Sequence, residues 1–255
     1  MLFVDEGVRE GPAIVFVHGI AGSPDWFAAV AERLSGDFRV IRVDVRDQRD
    51  DFGVSARTAP VAELLDELAV SEVTVVGHSF GAEIALELAT SSDRVARAVV
   101  VGQGPDYRQA RIPAAAKWVV RPSSVRLAQR WAPAPVVRLC LRSSFAPGFR
   151  YESSPGLADS VVRDFRGTVP AALAYTAGAR ADDLAAHPLD ARVAELDLPV
   201  LVVHGRRDHL YDHVSTLARY AAAGARTHLV EHAGHAPQVE QPDEFVTVLR
   251  EFLRD

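Results

Sequence analysis

The chain has 255 residues, 48% of them apolar and 24% charged; this is ordinary globular composition, with length enough for one large α/β domain or two small ones. A formal net charge of −6 disfavours a general nucleic-acid role. The single cysteine, Cys140, forbids an intrachain disulfide and fits a reducing cytoplasm. Met1–Glu6 lacks the basic start and apolar run of a signal peptide, and no stretch reaches the ~18 apolar residues of a membrane span.

In chain order, short Val- and Ile-rich runs read as strands at Ala13–Val17, Phe38–Val43, Val73–Val76, Ala98–Val101, Val200–Val203 and Thr227–Val230. Apolar residues at successive positions suit strands buried on both faces of a parallel sheet. Helical patterns alternate with them at Trp26–Leu34 (capped by Ser23-Pro24-Asp25), Ala59–Ala69, Gly81–Ala89, Leu217–Ala223 and Pro242–Leu253. The alternation predicts an α/β fold with a doubly wound, mostly parallel sheet. From 105 to 198 the rhythm breaks. Prolines, helical patches and scattered aromatics, among them Trp118, Trp131, Phe145 and Phe165, predict a helical insertion between two strands, leaving 1–104 and 199–255 as the core. Within it, Cys140 in the apolar run Val136–Leu141 is expected to be buried.

Two loops carry chemistry. Val73–Val76 runs into Gly77-His78-Ser79-Phe80-Gly81 and then a helix. A nucleophilic serine at such an apex needs a strained backbone, with glycines on either side where β-carbons would clash with strand and helix. The first strand ends in His18-Gly19-Ile20-Ala21-Gly22. Acyl transfer develops a negative oxygen that two backbone N–H groups can hold, and those of Ile20 and Phe80 are the candidates. Gly19, His78 and Trp26 are placed on the substrate side of the site. His18 reads as a shaping residue of its loop rather than a base.

A serine hydroxyl needs a base, and the base a carboxylate to orient it. His204-Gly205-Arg206-Arg207-Asp208 follows one strand, and Glu231-His232-Ala233-Gly234-His235 follows the last. Both sit past strand C-terminal ends, where ligands gather in open α/β sheets. Asp208 is the expected acid and His235 the expected base, with Asp106 and His232 as rivals; Gly234 is expected to let the loop turn sharply. The cluster His204, Asp208, His209, Asp212, His213 admits a metal reading, but the serine arrangement already accounts for Asp208, so no metal and no other cofactor is expected.

Together, His18-Gly19, Gly77-His78-Ser79-Phe80-Gly81, Gly205-Arg206-Arg207-Asp208 and Gly234-His235 resemble the α/β-hydrolase superfamily, in the capped serine hydrolase branch with a His-Gly oxyanion loop. The resemblance implies a cap inserted after the sixth of eight strands, which 105–198 matches. It implies a Ser79–His235–Asp208 triad hydrolysing an ester, thioester or related acyl group. The same fold also serves lyases and carbon–carbon bond hydrolases in biosynthetic or degradative pathways, and a non-catalytic ligand-binding member is a third reading. Two departures stand out. The family's first strand is missing, since only Leu2–Asp5 precedes Ala13. The loop after Asp44-Val45-Arg46 also carries Asp47-Gln48-Arg49-Asp50-Asp51 where relatives have glycines.

Between Arg108 and Arg150 there are nine basic residues and no acidic one. They read as solvated helix faces or, more sharply, as a patch attracting an anionic or carrier-linked small-molecule substrate. Nucleic acid and membrane are not expected partners.

Overall fold

The computed structural model describes residues 1–46, 51–108, 110–111, 120–142, 144–154 and 157–254. Trp118 and most of the charged loop, 47–50, lie outside the described residues. Seven strands form one sheet: β1 (Leu2–Gly7), β2 (Ala13–Val17), β3 (Arg39–Asp44), β4 (Val73–His78), β5 (Val95–Val101), β6 (Val200–Gly205) and β7 (Arg226–Val230), in the order β1-β3-β2-β4-β5-β6-β7. β1 is antiparallel to β3, and the other pairings are parallel.

The buried strands show why consecutive apolar residues are needed. Val15, Val17, Val75, Val100 and Val202 pack on one face, against α2 (Val54–Glu67) and α3 (Phe80–Ser91). Ile14, Phe16, Val76, Val99 and Val203 pack on the other, against α1 (Ala28–Leu34) and a C-terminal helix at Pro242–Arg254. Side chains alternate across a strand, so burial on both faces demands an apolar residue at every position.

β1 is a correction. The sequence reading left Leu2–Asp5 uncounted, yet Leu2–Gly7 is a full edge strand. Its apolar side chains stay exposed, and cross-strand ion pairs hold it instead: Arg39 Nη2 to Asp5 Oδ2 at 2.7 Å and Arg42 Nε to Glu6 Oε1 at 2.8 Å. The sheet still has one strand fewer than the eight the resemblance implies. Helix bounds also shift. α2 begins at Val54 and continues through Pro60. The first turn after Ser23 is a 3₁₀ helix, Pro24–Phe27, that the Ser23 side chain does not cap.

Between β5 and β6 run α4 (Pro122–Trp131), α5 (Ala134–Arg142), a 3₁₀ turn at Tyr151–Ser153, α6 (Leu157–Gly167), α7 (Pro170–Ala177), α8 (Ala179–Ala186) and α9 (Leu189–Glu195). The end of this segment joins the body: Leu184, Leu189 and Val193 belong to the cluster on the α3 face of the sheet. The chain closes with α10 (His213–Ala222), β7, α11 (Pro237–Glu240) and α12 (Pro242–Arg254). The expected burial of Cys140 is wrong. Its apolar run lies on α5, which turns only Val137 fully inward and leaves Cys140 exposed. Trp131 is likewise 68% exposed, whereas Phe145 is buried. No described helix is long and apolar enough to cross a membrane.

Candidate active site

Ser79 sits between β4 and α3 at φ 53°, ψ −120°, a conformation that costs energy for a non-glycine residue. The flanking glycines are required by close approach. A β-carbon on Gly77 would lie 2.1 Å from Gly81 O, and one on Gly81 would lie 2.2 Å from Val17 O. The first clash is with the elbow's own helix and the second with the end of the neighbouring strand. Ser79 N–H donates to Val101 O at 2.9 Å. Phe80 N–H opens α3, and Ile20 N–H lies in the loop after β2; neither has an acceptor among the described residues. Gly19 brings the two loops together, since its β-carbon would lie 3.0 Å from Ser79 Cβ.

Beyond the ends of β6 and β7, His235 Nδ1 donates to Asp208 Oδ2 at 3.0 Å, and Leu210 N–H donates to Asp208 Oδ1 at 2.7 Å. Burial pushes the Asp208 carboxyl up, but His235 and the Leu210 N–H outweigh it and hold it below the usual range. The rival Asp106 is engaged elsewhere, accepting from Arg108 Nε at 2.8 Å and Arg219 Nη1 at 3.0 Å. His232 is exposed. Asp212 caps α10 by accepting from Ser215 N–H at 2.9 Å. Among the described residues no three His, Cys, Asp or Glu side chains converge as a metal site.

His78 is buried, and its Nε2 donates to His235 O at 2.9 Å, tying the elbow to the histidine loop. Burial, reinforced by the neighbouring His235, drives its pKa down to about 3. The Ser79 hydroxyl makes no hydrogen bond to the His235 ring; unliganded sites are often loose in this way. His18 shapes its loop, as expected. Its Nδ1 donates to Gly19 O at 2.7 Å, and its Nε2 accepts from Val45 N–H at 3.1 Å.

Sequence reasoning missed Glu240, on α11. Its buried carboxylate accepts from Gly234 N–H at 2.9 Å and Ala236 N–H at 3.1 Å, on either side of His235, and from Ala146 N–H at 2.7 Å. An acidic residue five positions after His235, just past Pro237, was the available signal. Gly234 serves close packing rather than a turn: a β-carbon there would lie 2.5 Å from Ala146 N. Trp26 is also corrected. It lies in a buried stack with His78 (5.7 Å) and Phe145 (5.8 Å) rather than in the cleft wall.

Beside the two unpaired N–H groups opens a small, narrow cleft. Ile20, Ala21 and Phe80 line it from the body, Val45 and Phe52 from the loop after β3, and Val169, Ala172 and Tyr175 from the inserted segment. Two guanidinium groups also reach it, and both are occupied. Arg46 Nη1 donates to Asp164 Oδ1 at 2.8 Å, and Arg46 Nη2 to Asp44 Oδ2 at 2.6 Å. Burial works against the charge on Asp44, but the Arg46 fork outweighs it and holds the carboxyl well below the usual range. Arg57 Nη1 donates to Val45 O at 2.8 Å, and its guanidinium lies 5.4 Å from the Phe52 ring centroid.

The chain is 26% identical over 272 residues to a Bacillus subtilis (strain 168) protein assigned as a 2-succinyl-6-hydroxy-2,4-cyclohexadiene-1-carboxylate synthase, covering 98% of this chain and 93% of that one. It is 26% identical over 253 residues to esterase YbfF of Escherichia coli (strain K12), covering 95% and 93%. Its fold matches the enol-lactonase of Burkholderia xenovorans LB400 with a TM-score of 0.79 at 21% identity, covering 100% and 96%. A model of the alpha/beta hydrolase family matches residues 14–248. With that match spanning most of its length, the chain belongs to the alpha/beta hydrolase family.

Proposed function

We propose that the protein is a serine hydrolase cleaving esters or thioesters of uncharged, apolar acyl groups. Ser79 Oγ attacks the acyl carbon while His235 Nε2 takes its proton, and Asp208 holds the imidazole in the correct tautomer. The N–H groups of Ile20 and Phe80 hold the tetrahedral oxyanion. Collapse returns the proton to the leaving group, and water, activated by His235, releases the acid. The observation that carries this reading is the His235–Asp208 hydrogen bond at 3.0 Å, set beside a strained serine. Residues 105–198 are read as the cap, with Val169, Ala172 and Tyr175 roofing the cleft.

The acyl preference rests on charge. The two cations at the cleft are neutralised or bonded, and none of the described arginines between Arg108 and Arg150 lines it. Arg126, Arg130 and Arg138 point outward, while Arg108, Arg111 and Arg142 pair with Asp106, Asp212 and Glu152. These observations favour the solvated-face reading of the basic run over an anion-attracting one.

The test is turnover of p-nitrophenyl butanoate and labelling by a fluorophosphonate. Ser79→Ala should lose both, with kcat falling by about 10⁴-fold or more; undiminished turnover would reject the reading. The synthase relative motivates a second reading, elimination or carbon–carbon cleavage by the same residues. Trapping an acyl-enzyme during turnover separates the two.

A further inference from the structure

Beneath the elbow lies a charged group that serine chemistry does not need. Arg180, on α8 of the inserted segment, is 3% exposed. Its Nε donates to Glu83 Oε1 at 2.6 Å, and its Nη2 reaches the same oxygen. Glu83 stands on α3, one turn after Ser79. Arg180 Nη2 also donates to Gln103 Oε1 at 2.9 Å, and Nη1 to Tyr107 OH at 2.7 Å. The guanidinium lies 5.3 Å from the centroid of the Phe80 ring and 5.4 Å from that of Tyr107.

Two chains of contact leave this group. One goes directly to Phe80, whose N–H is a proposed oxyanion donor. The other passes through Gln103, whose Nε2 donates to Tyr211 OH at 3.0 Å, and then through the Tyr211 ring, stacked on His235 at 6.2 Å and 29°. A lysine could supply the charge but not this planar fork of donors. Buried ion pairs are poor sources of net stability because both charges must leave water. This one, with all three guanidinium nitrogens hydrogen-bonded, touches Phe80 directly and reaches His235 through Gln103 and Tyr211, which points to another role.

We propose that Arg180 is a positioning residue: from the inserted segment it sets the Phe80 N–H and the His235 ring, so that seating of the insertion and reactivity of Ser79 are coupled. This rests on the Ser79–His235–Asp208 reading. The coupling needs no movement of the sheet, because the guanidinium meets Phe80 and Gln103 directly.

The experiment compares Arg180→Met, Arg180→Lys and the double variant E83Q/R180M with the wild type. It measures kcat and KM for p-nitrophenyl butanoate, the fluorophosphonate labelling rate, binding of a trifluoromethyl ketone as transition-state mimic, and Tm. Removing both charges together leaves no unpaired ion, so the double variant keeps its fold even if Arg180→Met does not. The expected result is a fall in kcat and labelling rate on the order of 10²-fold in the double variant, with KM changed by less than about 3-fold. Ketone affinity falls with kcat, and Arg180→Lys recovers part of the loss. A folded double variant with wild-type kcat, labelling and ketone binding overturns the proposal. So does a loss confined to Tm or KM. Failure of the underlying triad reading is distinct: there the wild type itself is not labelled, or Ser79→Ala stays active.

Discussion

The sheet and the helical segment between β5 and β6 differ in how continuously they are packed. In β2, Ile14, Val15, Phe16 and Val17 are all essentially inaccessible, each contributing about 1.5–3 kcal/mol through burial. In the inserted segment, α4 buries Val125 and α5 buries Val137. Farther along, Phe145, Tyr151, Leu157 and Val161 pack with Trp26, Ala236 and Val239 of the body, and Leu184, Leu189 and Val193 join the α3 face; polar contacts add to this, Arg46 meeting Asp164 and Arg180 meeting Glu83, while Gln129 Nε2 donates to the segment's own Phe165 O and Thr168 O, both at 2.7 Å. A close-packed sheet fixes backbone positions finely, and the strained Ser79 and the glycines around it depend on that. Val169, Ala172 and Tyr175, which line the cleft, stand outside that close-packed sheet.

Three experiments, beginning with the largest effect, can break or sharpen this contrast after Ser79→Ala itself. Asp208→Asn keeps the shape but leaves His235 without its carboxylate, and kcat should fall by about 10³–10⁴-fold. Asp106→Asn, near the start of the inserted segment, should change kcat by less than about 3-fold, because Asp106 faces Arg108 and Arg219 rather than His235. Equal losses would mean the acid has been misassigned.

Gly81→Ala should destabilise by about 3 kcal/mol or more, since its β-carbon would meet the backbone of Val17 and His18. Gly167→Ala, at the end of α6, should stay within about 0.5 kcal/mol, because its nearest neighbour is the Arg46 side chain at 3.6 Å. Urea midpoints decide the pair, and similar costs would undo the distinction between body and insertion.

The smallest effect is a pH slope belonging to the body. Burial depresses His78 to about 3 and His204 to about 4, from an ordinary 6.5. Their unfolded forms therefore bind protons first. Stability is full above roughly pH 6.5 and falls as pH drops toward 4, by at most about 1.4 kcal/mol per unit for each histidine. Urea unfolding between pH 7 and 4 should show this decline, and His204→Leu should remove about half of the slope. An unchanged slope in that variant would show that His204 is not protonated on unfolding in this range.

The central strands were legible from sequence because burial on two faces writes runs of consecutive apolar residues; β7, a half-exposed edge strand, carries a weaker version of the same run. The elbow was legible because only glycine, with no β-carbon to clash, fits at positions 77 and 81. The order of Ser79, Asp208 and His235 is the one the family resemblance implies, and the ends of the last two strands are where the acid and base candidates stand. β1 was missed because cross-strand ion pairs hold it, with no buried face to mark it. Cys140 was misplaced because an apolar run does not say which side of a short helix faces the body. Glu240 and Arg180 were overlooked for a related reason: their meaning lies in backbone N–H groups and carboxylates on other elements. Local pattern determined the central strands and the serine turn, since each is imposed by backbone sterics or continuous burial. Which carboxylate faces His235, where Trp26 packs, and which cations are already neutralised were decided by the tertiary structure, because electrostatic pairing depends on distance in space and leaves no period in the chain.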